Sequence, residues 1–367
     1  MKNVIAYIGI ILLTVYVEIM YVQFYGTTLL AFEILLFLAM FLLSWYFKKS
    51  VTAGLKVRIP AAQKGEEIRV ELDVKNRGFL PVTKVDVIVE AENCGISQGT
   101  RTRVTASAPA RGQGSEICLT KAEYCGKYHF RMVKGKVWDY LGLFFHRIRC
   151  GEDAYVNVMP EFCLMAVDVS EYTRNFPADG EEYDTHRSGD DPSEIFQIRE
   201  FRDGDTLQRV HWKMSAKADK LMTKELGRPV GYCVLVLVDF HMGKKEKERI
   251  ERLDAVFELA AAVSYSLWQA GVYHLAAWYD EKQGGICRAH IRKEEQVYEM
   301  IDRLLGAGPY EQDIDLMQAY QEEYPGGQFG SILRLDLQPA LSVNDREAVR
   351  FDPEHLKEQI LGCPLEV

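Results

Sequence analysis

The sequence predicts a membrane-anchored α+β multidomain chain: a two-helix transmembrane hairpin, then a β-sandwich, then an α/β layer. Three observations carry this. Two long apolar runs stand within the first fifty residues, residues 52–160 alternate with period two, and from residue 230 apolar strand-like runs alternate with amphipathic helical patterns. The expected boundaries are 1–50 for the hairpin, 51–160 for the sandwich and 161–367 for the remainder.

Residues 4–22 (VIAYIGIILLTVYVEIMYV) hold one ionisable side chain, Glu18, and residues 29–47 (LLAFEILLFLAMFLLSWYF) hold one, Glu33. At helical rise each run covers roughly 28 Å, close to the ~30 Å hydrocarbon core of a bilayer. The short connection, 23–28, makes the pair a tight hairpin. A cleaved signal peptide fits poorly, because its apolar region is shorter and no second run follows it. Lys2 precedes the first run, Lys48, Lys49, Lys56 and Arg58 follow the second, and the connection has no Lys or Arg. The positive-inside rule then places both ends of the hairpin, and everything after it, in the cytoplasm. The two glutamates fall toward the outer ends of their helices at similar depth, where a carboxylate either snorkels or serves an ion or proton site.

Of the 367 residues 48% are hydrophobic and 26% charged, which supports folded cores, and the net charge of −9 gives no basic face for nucleic acid. Eight cysteines lack C-x-x-C spacing or nearby zinc-ligand patterns, as scattered thiols in a reducing compartment do.

In the sandwich, Ile68, Val70, Leu72 and Val74 alternate with polar residues, and Val85, Val87 and Val89 form a second such strand. Residues 161–194 read as a linker ending in a solvated acidic loop (Asp179, Glu181, Glu182, Asp184, Asp190, Asp191, Glu194). In the α/β layer, residues 232–240 (YCVLVLVDF) read as a buried parallel strand ending at Asp239. A helix over 246–270 is closed by Gly271. Strands over 272–279, 286–291 and 329–337 and helices over 293–305, 313–324 and 353–361 complete a doubly wound pattern.

One segment concentrates chemistry. From 195 to 228 it has eight basic and five acidic residues, a local +3 in an acidic chain. Asp203-Gly204 signals a turn, Asp205 with Gln208 resembles a capping box opening a short helix, and Asp205 and Arg209 are about a helical turn apart and can pair. The residues read either as a structural lynchpin, with a cap, an ion pair and Trp212 plugged into a core, or as an anion or partner site using Arg209, His211, Lys213 and Lys217. Residue physics by itself favours the lynchpin.

Arg199, Phe201, Gly204, Asp205, Arg209, Val210, Trp212, Ser215, Ala216 and Lys217 fill the pattern R-x-[YF]-x-x-G-D-x-x-x-R-[IV]-[DH]-W-x-x-[ST]-A-[RK]. This resembles the signature of DUF58 proteins, a bacterial membrane-anchored family of unknown function. His211 stands where that family usually has Asp, and Lys217 where Arg is usual, so no role rests on a carboxylate at 211. The run from Asp139 to Phe144 (DYLGLF) is similar to the family's D-P-F-G-L-F element, and the layout resembles the family over nearly the whole chain. The resemblance implies a C-terminal domain similar to a von Willebrand factor A domain and a partner among MoxR-type AAA+ ATPases; it brings no established catalytic residue. The expectation is a non-enzymatic scaffold or adaptor without cofactor, multi-pass in the bacterial inner membrane. Its candidate interaction surface is Arg199, Asp205, Arg209, His211, Trp212, Lys213 and Lys217.

Two rivals remain open. A divalent-cation-dependent ligand module of the A-domain kind needs Asp-x-Ser-x-Ser after the first strand; here Asp239 is followed by His241 and Gly243, so no metal is expected and Asp239 caps the following turn. A hydrolase would use His211 with Asp205 or Ser215, but no second carboxylate is spaced to orient the imidazole. Gly95-Ile96-Ser97-Gln98-Gly99 matches a nucleophile elbow, yet a strand-like run follows where a helix is required.

Overall fold

The computed structural model describes residues 2–21, 24–94, 98–174, 176, 182–183, 188, 191–227, 229–230, 232–242, 249–346 and 349–367. The acidic loop at 179–194, the centre of the nucleophile-elbow match and Gly243 fall wholly or largely outside them. The chain divides into two compact units, Met1–Met159 and Pro160–Val367.

The first unit opens with α1 (Lys2–Tyr21) and α2 (Phe24–Ser50), both long and apolar enough to cross a membrane. Residues 24–28 are helical, so the connection is shorter than the sequence implied. The register of the antiparallel pair is set by polar and aromatic contacts. The Tyr7 ring stacks on Phe37 at 5.7 Å, Thr14 Oγ1 donates to Glu33 Oε1 at 2.9 Å, and the Glu18 side chain lies over Gly26. A Cβ at Gly26 would sit 3.2 Å from Glu18 Cγ, so glycine permits the close approach. Glu33 is therefore level with Thr14, about a helical turn further in than Glu18. It is also buried between the helices, not snorkelling, which corrects the expected equal depth.

Among the described residues ten strands follow: β1 (Val51–Val57), β2 (Ala61–Gln63), β3 (Glu67–Asn76), β4 (Val82–Asn93), β5 (Gln98–Ala108), β6 (Gln113–Lys121), β7 (Gly126–Trp138), β8 (Phe145–Arg147), β9 (Arg149–Cys150) and β10 (Ala154–Met159). They form a mixed four-stranded sheet in the order β6-β3-β1-β9 and a mixed sheet in the order β2-β10-β7-β4-β5, with β8 on β7. Period-two alternation places Val70, Leu72 and Val74 of one sheet and Val85, Val87, Val89 and Phe130 of the other in one shared buried cluster.

That cluster also holds Phe47, which is fully buried although it lies in the second apolar run. Ser44 is equally buried and its Oγ is 2.7 Å from His146 Nδ1. Ser50 passes directly into Val51 of β1. The last two turns of α2 are thus built into the β domain, and the run at 29–47 is part membrane-length helix and part protein core. The DYLGLF element is a closed loop beside them. Asp139, 2% exposed, accepts the backbone N–H groups of Leu143 (2.8 Å) and Phe144 (3.0 Å), and Gly142 takes the left-handed φ of +64° that the turn needs. Phe144 meets Phe37 and Phe41 edge-on at 4.9 and 5.3 Å.

The second unit contains β11 (Val167–Asp168), α3 (Glu171–Arg174), β12 (Glu182–Tyr183), β13 (Asp191–Glu200), α4 (Trp212–Ala218), β14 (Met222–Gly227), β15 (Pro229–Val230), β16 (Val234–Val238), α5 (Arg249–Gln269), β17 (His274–Asp280), β18 (Gly285–Ile291), α6 (Glu294–Leu305), α7 (Leu316–Glu323), β19 (Ser331–Asp336), β20 (Ala340–Val343), β21 (Val349–Arg350), α8 (Leu356–Gly362) and β22 (Leu365–Glu366). Its main sheet runs β18-β17-β16-β19-β20-β21. β16 is parallel to both neighbours, while β18, β20 and β21 pair antiparallel. Every residue of β16 is buried, as a strand covered on both faces must be. α7 covers the face carrying Leu235, Leu237, Leu275 and Ala277. Gly271 ends α5 at φ +74°, and Gly284 turns β17 into β18 at φ +69°.

Candidate functional site

Residues 191–227 fold as a two-stranded antiparallel ribbon, β13 with β14, that carries a 21-residue excursion (residues 201–221) at its tip. The register puts Arg199 opposite Thr223 and Gln197 opposite Glu225. Arg199 is the hub. Its Nη1 and Nη2 reach Asp205 Oδ2 and Oδ1 at 2.7 and 2.9 Å, and its Nε reaches Glu225 Oε1 at 2.6 Å. Gln197 Nε2 donates to the other Glu225 oxygen at 2.6 Å, and the Arg202 backbone N–H donates to Asp205 Oδ2 at 2.8 Å. A planar guanidinium forked between two carboxylates ties the ribbon to the first turn of the excursion with fixed geometry. Gly204, at φ +104°, makes that turn possible.

The expected capping box and the Asp205–Arg209 pair are not formed. The Asp205 carboxylate is taken by Arg199, and the short 3-10 turn Leu207–Arg209 starts at Thr206 without a side-chain cap. α4 is capped instead by His211, whose Nδ1 accepts the Met214 N–H at 3.2 Å. Ser215 is buried and its Oγ accepts the Met222 N–H at 2.9 Å and donates to the His211 carbonyl at 3.1 Å, which fastens α4 to β14. Trp212 is not plugged into a core: it is 66% exposed, as is Leu207, and Met214 and Leu221 are exposed too. Lys213 and Lys217 on the same short helix are exposed as well. The seven expected residues therefore fall into three roles. Arg199, Asp205 and Arg209 line a cavity of about 270 Å³ together with Thr223, Lys224 and Glu225, His211 caps α4, and Trp212, Lys213 and Lys217 face outward. Sequence reasoning missed Glu225, which is 26 residues from Arg199 and is brought to it by strand register alone.

The guanidinium beside Asp205 and the Arg202 amide hold that carboxyl down to about 2, and the same guanidinium lowers Glu225. A carboxyl depressed in the fold adds stability above its ordinary value near 4, which is lost as pH falls through about 2. Pepsin cleavage within 201–221 is thus expected to stay low down to about pH 3 in the native chain, whereas Asp205→Asn, which lacks the ion pair at every pH, is expected to be cleaved faster than the native chain already at about pH 4. Equal cleavage of the two at pH 4 would contradict the pairing.

A second polar cluster closes the carboxyl end of β16. Asp239 Oδ1 accepts the His241 N–H at 2.9 Å and the Tyr310 hydroxyl at 2.6 Å, and Oδ2 accepts Arg334 Nη2 at 2.8 Å. The cap on the following turn is as the sequence implied. Arg334 Nε also reaches Asp336 at 3.1 Å. Burial and the Asp239 carboxylate push the Tyr310 phenol far up, so it remains a donor. Both Asp239 oxygens are engaged by protein donors and a fixed cation stands against it, so this donor set does not fit a divalent ion. Among the described residues no group of three or more His, Cys, Asp and Glu side chains is gathered to hold a metal.

Residues 197–324 match the model of a family described as protein of unknown function, DUF58. No curated protein matches the chain. Solved structures similar to it include the CARDB domain of a Pyrococcus furiosus protein (17% identity, 30% of this chain and 87% of that one, TM-score 0.22). A cohesin module from a Clostridium perfringens family 33 glycoside hydrolase is similar at 11% identity, over 30% of this chain and 99% of that one, with TM-score 0.24. A type I cohesin from Pseudobacteroides cellulosolvens is similar at 10% identity, over 30% and 94%, with TM-score 0.21. At these TM-scores the likeness carries no argument about fold or function.

Proposed function

We propose that this chain is a non-enzymatic, membrane-tethered adaptor that presents the 199–217 segment to a protein partner. The carrying observation is the exposure of Trp212 and Leu207 on a scaffold made rigid by the Arg199 fork. A large aromatic held in water on a helix that also exposes lysines, on a framework that loses little freedom on binding, has the makings of an interface hot spot. The partner class is a cytoplasmic AAA+ ATPase of the MoxR type, taken from the family resemblance. The family match over 197–324 supports that resemblance, and the helix-flanked parallel strands support the A-domain-like reading of the terminal layer. The two apolar helices and the flanking lysines support a multi-pass anchor in the inner membrane with both units in the cytoplasm.

The site's own hydrogen bonds disfavour the hydrolase reading. Asp205 is held by Arg199, Ser215 faces backbone, and the His211 Nδ1 caps a helix, so the three do not converge on one reacting atom. Detergent extracts of cells bearing a tagged chain are expected to yield the ATPase on pull-down. Trp212→Ala is expected to weaken that binding by roughly 30-fold, the ~2 kcal/mol of a hot spot. Unchanged binding by a folded Trp212→Ala, Leu207→Ala variant would remove the segment from the interface.

A further inference from the structure

The helix register fixes where the bilayer ends. Asn3, at the start of α1, donates to the Leu141 carbonyl at 3.1 Å, and Tyr7 lies beside Phe37, so Asn3 is level with about residue 41 of α2. α1 is 20 residues long, roughly 30 Å, and matches a hydrocarbon core by itself. α2 is 27 residues long and overhangs its partner by about nine, roughly 13 Å, at the end built into the β domain. The inner edge of the hydrocarbon therefore falls at Asn3 and Phe41, the level at which Leu141 and Phe144 meet the helices.

At and just beyond that level the domain exposes large apolar side chains that its own core does not need. Leu141 is 43% exposed, Phe145 46% and Phe79 70%. Phe79 is held there by its backbone N–H, which donates to Tyr46 on α2 at 2.8 Å. Each exposed ring is topped by a cation: Lys136 over Phe145 at 4.3 Å, Arg111 over Phe79 at 4.1 Å, and Lys49 over Trp45 at 3.8 Å. Trp45, and Phe79 tied to Tyr46, lie four to five residues, roughly 6–8 Å, beyond Phe41. Aromatic rings paired with Lys or Arg over such a depth are what a headgroup layer stabilises, the ring toward the acyl boundary and the cation at the phosphates.

We propose that the 139–145 loop, with Phe79 and Trp45, forms an interfacial collar that seats the β domain on an anionic bilayer, Leu141 and Phe145 entering the acyl boundary and Lys49, Arg111 and Lys136 taking lipid phosphates. The collar rests on the reading of α1 and α2 as membrane spans. The test uses the full chain in nanodiscs of phosphatidylcholine and phosphatidylglycerol at 3:1, with photoreactive benzoylphenylalanine placed singly at positions 12, 141, 145 and 119. Leu12 is exposed on α1, and Leu119 is exposed on β6 about six residues, roughly 20 Å of strand, from the end of β6 nearest the helices. Lipid adducts at 141 and 145 are expected at five-fold or more the level at 119, enriched in phosphatidylglycerol over the bulk ratio, with the enrichment lost in Lys136→Glu, Arg111→Glu. Adducts at 12 but not above the 119 level at 141 and 145 would overturn the collar alone. No adducts at 12 would overturn the spans on which it rests. Adducts at 141 that mirror the bulk lipid ratio would overturn the anionic selection.

Discussion

Phe47→Ala is expected to destabilise the β domain by about 3–5 kcal/mol, although the residue belongs to a helix that by composition is membrane-spanning. The ring has no exposed surface, lies in the cluster shared by both sheets, and meets Tyr140 at 5.7 Å. Removing it leaves a cavity at the point where α2 becomes β1, and well-packed neighbours there have little freedom to collapse into it. For a unit of this size the corresponding fall in Tm in detergent is roughly 10 °C or more, read by circular dichroism in the β-sheet region. Phe47→Leu keeps most of the volume and is expected to lose much less. A shift of under about 2 °C in Phe47→Ala would mean that the ring belongs to lipid and not to the core.

Acid between about pH 6.5 and 4 is expected to weaken the second unit by up to about 3 kcal/mol through a single imidazole. His274 opens β17 and is fully buried. Its Nδ1 lies 3.1 Å from the Val272 carbonyl and its Nε2 lies 2.6 Å from Ser264 Oγ on α5. Both bonds are satisfied by one neutral tautomer, with Nδ1–H donating to the carbonyl and the Ser264 hydroxyl donating to Nε2. Burial pulls the group down from 6.5 to about 4. The unfolded chain takes up a proton below about 6.5 while the folded chain does not until about 4, so stability present above 6.5 falls as pH drops through that window. Urea midpoints followed by fluorescence of buried Trp278, on the same strand, report it. His274→Gln is expected to flatten the dependence across the window. An identical slope in the two proteins would place the titration elsewhere.

Much of this molecule is written in its periodicities. The alternation around Ile68–Val74, the continuous run at β16 with Asp239 at its end, and Gly271 and Gly284 at their turns each follow from local chemistry, and the structure has them. Hydropathy did not separate lipid from protein core: Phe47 and Ser44 extend the second apolar run but are enclosed by strands. Nor did it give the depth of Glu33, which depends on the stagger between two helices. In the candidate site, Asp205 was legible as a paired group but its partner was not. Helical spacing pointed to Arg209, whereas strand geometry delivered Arg199 from six residues upstream and Glu225 from across the ribbon. Trp212 shows the same limit, because a tryptophan among lysines in a two-turn helix has one local pattern whether it plugs a core or faces water.

The seamless passage from Ser50 into Val51 removes any hinge between anchor and strand. If α2 crosses a bilayer, its leaning in a thinner or thicker one would tip the β domain with it, since a continuous backbone gripped by Phe47 leaves little joint to absorb the angle. Where such a helix spans lipid, the attitude of the sandwich would follow the thickness of the bilayer around it.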